Sequence, residues 1–356
     1  MRNLKQARAA LAEWFGGARR DLPWRRTRDP WRILVSEVML QQTRVSVVAP
    51  FYERFLERYP DAAALATAPE QELLAQWSGL GYYTRARNLQ KAARAVVERG
   101  GFPQSYEEIR ELPGVGEYTA AAVASIAFGL PYAVLDGNVI RVLARAFAET
   151  GDVQTQGVRV RLKEEAQRLL DPRKPGDFNQ ALMELGATVC LPRNPQCLLC
   201  PWREQCAARE EGIEQELPVK GRKREGVKVH LTLCLVEREG AILLRQREAH
   251  SPRLAGFWDL PEERELPYAE LGAVLGRFKH SITRHDYTVE VRGAEVVRAP
   301  RGFRWVQGEE LEGLPLSTMA RKGLAVGRGE GIQSVGGEGD MPWVANGEST
   351  GGGEGG

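Results

Sequence analysis

The pattern of apolar positions changes character once along the chain. Residues 1–210 read as mostly helical. Alanine-rich stretches such as Lys91–Glu98 and Thr119–Phe128 have helix-forming composition, and Gly/Pro pairs punctuate them. Beyond residue 228 the period shortens to two. Val229, Leu231, Leu233 and Leu235 alternate with other residues, as do Tyr287, Val289 and Val291, and Ala241–Glu248 adds a short apolar run. These are strand signals. The pattern therefore predicts a helical domain over 1–210 and an α+β domain over 228–322. Between them, residues 211–227 are charged, poor in large apolar side chains and interrupted by Pro218, and read as a linker. Residues 323–356 turn Gly/Glu/Ser-rich, too poor in apolar surface to offset the entropy of ordering, and are expected to be disordered.

Composition narrows the class. A chain of 356 residues, 43% hydrophobic and 27% charged, is ordinary for a globular protein of two or three domains. No apolar run is long enough for a membrane span, and the N-terminus lacks the apolar core of a signal peptide. A cytoplasmic, nucleoid-associated monomer with reduced thiols is expected. The net charge of +2 decides little, but residues 1–44 hold ten Lys/Arg against four Asp/Glu. Such a local excess suits phosphate contact, although a solvated helix face would look the same.

Cysteines sharpen the picture. Cys190, Cys197, Cys200 and Cys206 follow a C-x6-C-x2-C-x5-C spacing, while Cys234 sits in an alternating run and reads as a buried strand residue. Four thiolates this close can share one soft metal centre. Zinc sites usually come as two tight pairs, and here only one pair is tight, so an iron–sulfur cluster is favoured over zinc or disulfides. The spacing resembles the [4Fe–4S] loop of endonuclease III-type DNA glycosylases. A second motif agrees. In Leu112–Ala120, LPGVGEYTA, Gly114 and Gly116 permit a tight turn that lets main-chain N–H groups approach a phosphate. It resembles the helix-hairpin-helix of the same superfamily. Asp136 follows Gly114 by twenty-two residues, where that superfamily places its catalytic aspartate. Asp136 also reads as the N-cap of a helix, a position that keeps a carboxylate ionised. Tyr118 occupies the position of the nucleophilic lysine in bifunctional members, and a tyrosine forms no Schiff base. A monofunctional enzyme is implied.

Glu37 lies in an apolar run, Trp31–Val45. A carboxylate there must be paired, neutralised or aimed into a cavity, and desolvation raises its pKa towards that of a useful general acid. Around it, Leu22–Arg25 (LPWR), Ser36–Thr43 (SEVMLQQT) and Gly79–Tyr83 (GLGYY) resemble the MutY-type adenine DNA glycosylases, which remove adenine mispaired with 8-oxoguanine in duplex DNA. The resemblance implies that Glu37 protonates a flipped adenine and Asp136 stabilises the oxocarbenium-like sugar, with Tyr118 and Asn138 beside them. It further implies that Arg25 and Gln180 contact adenine edges. Gln42 and Tyr82, with Thr43 and Leu80, would sit at the opened duplex, and Gly114 and Gly116 at its backbone. A [4Fe–4S] cluster would bind Cys190, Cys197, Cys200 and Cys206.

The second domain resembles the Nudix-like module of that family. Leu254–Glu262, LAGFWDLPE, looks like the Gly-Leu-Trp-Glu-Phe-Pro stretch, but the acidic cluster that would hold magnesium is absent. Where the family reads 8-oxoguanine with Phe-Ser-His, this chain has Ile282, Thr283 and Arg284. Thr283 keeps a hydroxyl for the lesion, and Arg284, with its longer reach, is expected on the DNA at a phosphate ahead of the lesion base.

Overall fold

The computed structural model describes residues 3–221, 226–248, 251, 254–282, 284–311 and 313–330. Its first part is a stack of helices: Leu4–Ala18 (α1), Pro30–Leu40 (α2), Val45–Arg58 (α3), Ala62–Ala66 (α4), Glu70–Gln76 (α5), Thr84–Glu98 (α6), Tyr106–Arg110 (α7), Glu117–Phe128 (α8), Gly137–Ala146 (α9), Gln156–Leu169 (α10), Pro175–Thr188 (α11) and Ala207–Glu211 (α12).

Helix α2 is apolar nearly all round and is buried accordingly, with Leu34, Val35 and Met39 fully covered. It starts where Asp29 accepts the Arg32 N–H and Pro30 presets the first turn. Helix α8 is alanine-rich, and small side chains let neighbours come close. A Cβ at Gly176 of α11 would stand 2.6 Å from the Ser125 carbonyl oxygen of α8. Helix α11 thereby packs against α1, α8 and α9 at once. The hairpin between α7 and α8 needs its glycine: Gly114 has φ +77°, and a Cβ there would meet the Asn88 Cβ at 2.6 Å.

The second part is α+β. Strands Val227–Leu235 (β1), Glu237–Arg238 (β2), Ala241–Gln246 (β3), Trp258–Asp259 (β4), Glu270–Ile282 (β5), His285–Glu295 (β6) and Phe303–Gln307 (β7) precede helices Gly308–Leu311 (α13) and Thr318–Gly327 (α14). One sheet has the order β1-β6-β5, with β1 parallel to β6 and β5–β6 an antiparallel hairpin. The other joins β3 to β2, β4 and β7. The alternation in β1 serves two cores. Leu233 and Leu235 pack with Val289, Val291 and Leu324, whereas Cys234 packs with Leu243 and Val296. Cys234 is fully buried, as its alternating context predicts.

Two boundaries differ from the sequence pattern. The expected linker is anchored over much of its length: Leu217 is buried, its carbonyl accepts from Arg145, and the Val219 carbonyl accepts from the Val153 N–H. Polar composition hid this because the anchoring uses one buried leucine and backbone carbonyls, which leave little trace in the sequence. The expected tail starts too early, since α14 continues to Gly327 and buries Leu324 against the sheet; residues 331–356 lie outside the described residues. The two parts also touch. Phe257 of the second domain is buried in the helical core cluster, its ring centroid 4.1 Å from that of Tyr83. No helix among the described residues is long and apolar enough to cross a membrane.

Candidate active site

Three helices bring the predicted carboxylates together. Glu37, on α2, is 5% exposed, and the hydroxyl of Tyr118 on α8 donates to its Oε2 at 2.7 Å. The same hydroxyl lies 3.3 Å from the sulfur of Met183 on α11. Burial raises the Glu37 pKa to about 7; the Tyr118 hydrogen bond opposes this, and the negative charge of Asp136 adds to it. Glu37 thus titrates near neutrality, well above the usual carboxylate range.

Asp136 caps α9, its Oδ1 accepting from the Val139 N–H at 2.7 Å and its Oδ2 from the Asn138 amide at 3.0 Å. The cap predicted from sequence is present. Burial nonetheless moves its pKa up, against those donors and the charge of Arg141, because tertiary packing desolvates what a surface cap would leave wet. Of the two carboxyls, Asp136 accepts from a backbone N–H and a side-chain amide, and Glu37 from the Tyr118 hydroxyl. Asn138 is fixed in turn. Arg141 donates to its Oδ1 at 2.8 Å and to the Gly186 carbonyl at 2.7 Å, and a Cβ at Gly186 would fall 2.6 Å from the Asn138 Cβ.

Arg25 is brought to the site's edge, but it is already paired. Its Nη2 donates to Glu184 at 2.8 Å, alongside Arg20, whose Nη2 lies 2.7 Å from the same oxygen. Glu184 is fully buried; although burial opposes ionisation, hydrogen bonds from Arg20 and Arg25 lower its pKa to about 2. Gln180, half-buried, stands one helical turn before Glu184 on α11. Sequence reasoning passed over Glu184 and Met183. Their four- and three-residue offsets from Gln180 were the available signal.

The four predicted cysteines line one cavity, with Val142, Leu185, Trp202 and Arg145. Cys190, Cys197, Cys200 and Cys206 form no disulfide. Among the described residues no three His, Cys, Asp or Glu side chains converge tightly enough for a single ion. The sulfurs instead surround a space, and the Arg145 Nη1 lies 3.3 Å from the Cys190 Sγ, a charge suited to thiolates. Burial raises the Cys200 thiol to about 12, so a ligand must displace its proton. Through Arg141, whose Nε donates to the Cys190 carbonyl at 2.7 Å, this loop is one side chain away from Asn138.

Residues expected at the duplex fall in two turns. Gln42, exposed, has φ 56°, and Tyr82, half-buried, has φ 49°. Both are left-handed for non-glycine residues, a cost borne where surroundings hold the turn. Thr43 is half-buried beside Gln42. Leu80 departs from expectation: it is 3% exposed, its side chain packed in the core while its carbonyl accepts from Arg85, so it supports the turn from beneath. Arg85, buried and unremarked in the sequence, joins both turns. Gly114 and Gly116 are exposed at the hairpin, Gly116 as the N-cap of α8. In the second domain Arg284 is exposed at the β5–β6 turn; Thr283 lies outside the described residues.

Comparison with known proteins gives the context. Residues 35–168 match the family model of the HhH-GPD superfamily base excision DNA repair proteins. The chain is similar to the human adenine DNA glycosylase, 36% identical over 405 residues, covering 91% of this chain and 74% of that one. In structure it is similar to a thermostable thymine-DNA glycosylase at 34% identity and TM-score 0.54, covering 58% of this chain and 98% of that one. An endonuclease III bound non-covalently to DNA is similar at 26% identity and TM-score 0.50, covering 60% and 99%.

Proposed function

Because the chain belongs to the adenine DNA glycosylases of base-excision repair, we propose that it is monofunctional and removes adenine mispaired with 8-oxoguanine, and with guanine, from duplex DNA. The observation that carries this reading is the buried Glu37, held by the Tyr118 hydroxyl and set against Asp136, whose charge helps raise its pKa. An adenine must leave the stack before a side chain can reach it, and a neutral adenine leaves poorly without an acid. Glu37 supplies the proton, with Tyr118 holding the carboxyl through its donated hydrogen bond. Asp136, its charge supported by the Val139 N–H and the Asn138 amide, stabilises the positive sugar. Arg25 and Gln180 line the adenine side, and Gln42, Thr43 and Tyr82 fill the gap left by extrusion.

Tyr118 offers no amine, so the product strand stays intact until alkali is added. Coverage favours adenine over thymine as the base removed. The thymine-DNA glycosylase accounts for 58% of this chain, whereas the similarity to the human adenine enzyme spans 91% and takes in the second domain. That domain would read the base opposite adenine, with Thr283 at the lesion and Arg284 on a neighbouring phosphate. The cysteine loop would hold a [4Fe–4S] cluster on Cys190, Cys197, Cys200 and Cys206. Four cysteines lining one cavity, with the Arg145 guanidinium 3.3 Å from the Cys190 sulfur, suit a four-thiolate cluster better than a single ion. These cysteines would hold the group as a crosslink of the loop, and Arg141, which donates to the Cys190 carbonyl and to Asn138, ties that loop to the Asp136 side of the site.

Base release from duplexes carrying 8-oxoguanine:A, G:A, G:T or thymine glycol, scored before and after alkali, tests the reading. Release from 8-oxoguanine:A with breakage only after alkali is expected. Release confined to G:T or thymine glycol, or breakage without alkali, would refute it.

A further inference from the structure

Arg85 sits on α6 with 8% of its surface exposed, and it binds three separate pieces of chain. Its Nη1 donates to the Val38 carbonyl at 3.0 Å, to Met39 at 2.8 Å and to Gln41. Its Nη2 donates to Thr43 Oγ1 at 3.1 Å, Leu80 O at 3.0 Å and Gly81 O at 3.1 Å. The guanidinium carbon lies 5.4 Å from the Tyr82 ring centroid and 5.7 Å from that of Trp77. The Trp77 Nε1 donates to the Gly81 carbonyl at 3.1 Å, closing the second turn from its other side.

The acceptors are not scattered. Val38 and Met39 end the helix that carries Glu37; Gln41 and Thr43 flank Gln42; Leu80 and Gly81 lead into Tyr82. Each turn holds a non-glycine residue in the left-handed region, which neither would keep unaided. The four N–H hydrogens of Nη1 and Nη2 reach these five carbonyls and one hydroxyl by sharing, and the planar fork spreads them over both turns as an ammonium point charge cannot.

We propose that Arg85 is a positioning residue that locks the Gln42 turn, the Tyr82 turn and the end of the Glu37 helix into one rigid unit, so that opening the duplex and presenting the acid are a single mechanical event. The proposal rests on the reading that Gln42 and Tyr82 enter the duplex. It adds that they do so as a pair held by a side chain that touches neither substrate nor reacting atoms.

The test is stopped-flow fluorescence on a duplex with 2-aminopurine in place of adenine opposite 8-oxoguanine, run beside single-turnover adenine release. Wild type should show both a fluorescence rise and release. Arg85→Lys should slow the rise and the release together, by about 10–100-fold as expected for a misplaced positioning group. Melting temperature and iron content, measured on the same preparations, separate this from misfolding. Tyr82→Ala in the Arg85→Lys background should cost less than Tyr82→Ala alone, because the turn is already loosened. Should Arg85→Lys fail to fold, Thr43→Val, which removes one acceptor, should give the same paired slowing on a smaller scale. Unslowed extrusion in the folded variants, or fully additive losses with Tyr82→Ala, would overturn the proposal. A wild type that releases no adenine from any duplex would instead overturn the functional reading.

Discussion

The helical half and the β-rich half handle charge in opposite ways. In the helical half, charged groups are drawn inside and left with unusual acidities. Glu37 is raised to about 7, Glu184 lowered to about 2, and Asp136 moved up despite its cap. In the second domain the charges pair mostly near the surface, as in Arg277–Glu290 and Arg304–Glu310, and Arg284 stays exposed. The buried His280 is pushed down to about 4 by burial and by Lys322, and so stays neutral. The contrast teaches where burial can shift an acidity and where it cannot. Desolvation builds an acid only where a core is thick enough to exclude water, and the helical half has that core. A surface that meets a second molecule keeps its charges solvated until contact.

The strongest way to break this contrast is to remove the buried acid. Glu37→Gln keeps the shape of the site and deletes the proton, so single-turnover base release should fall by about 10²–10⁴-fold while mispair binding persists. Asp136→Asn should be comparably severe. Near-normal rates in either variant would place the chemistry elsewhere.

Next in size is Gly186→Ala. The added Cβ meets the Asn138 side chain at 2.6 Å and the backbone carbonyl of the same residue at 2.9 Å, and neither can retreat far within packed helices. Thermal unfolding should show a loss of about 1–3 kcal/mol, with release slowed through the displaced partner of Asp136. An alanine accommodated with unchanged rate and melting would show that α11 is free to shift.

A subtler probe is pH. In the proposed mechanism Glu37 acts protonated, so the release rate should fall as pH rises through about 7. The Tyr118 hydrogen bond stabilises the ionised form. Removing it in Tyr118→Phe should therefore raise the Glu37 pKa and carry the falling limb to higher pH. A limb that stays in place would mean that the hydroxyl does not govern the acid.

The smallest effect belongs to the second domain. Arg284→Ala should leave the chemical step untouched and weaken binding to both 8-oxoguanine:A and G:A duplexes. It should also lower the salt dependence of affinity by about one phosphate contact. A loss confined to the 8-oxoguanine duplex would assign Arg284 to the lesion base instead.

Much of this protein is legible in its sequence because the relevant signals are local. Helix and strand periods, the glycine turn before α8, the Asp136 cap and the cysteine spacing each depend on residues within a few turns of one another. What they could not convey is which distant group each side chain would meet. Tyr118 reaches Glu37 across 81 residues, and Arg25 reaches Glu184 across 159. Leu80 reads as a residue for DNA and turns out to be core, with only its carbonyl facing Arg85. The polar stretch near Leu217 reads as a free linker and is held by Arg145. Sequence fixes which groups can donate, accept or ionise. The acidity of Glu37, the commitment of Arg25 and the clasp of Arg85 follow only from packing, because desolvation and charge pairing are set by what closes over a side chain in three dimensions.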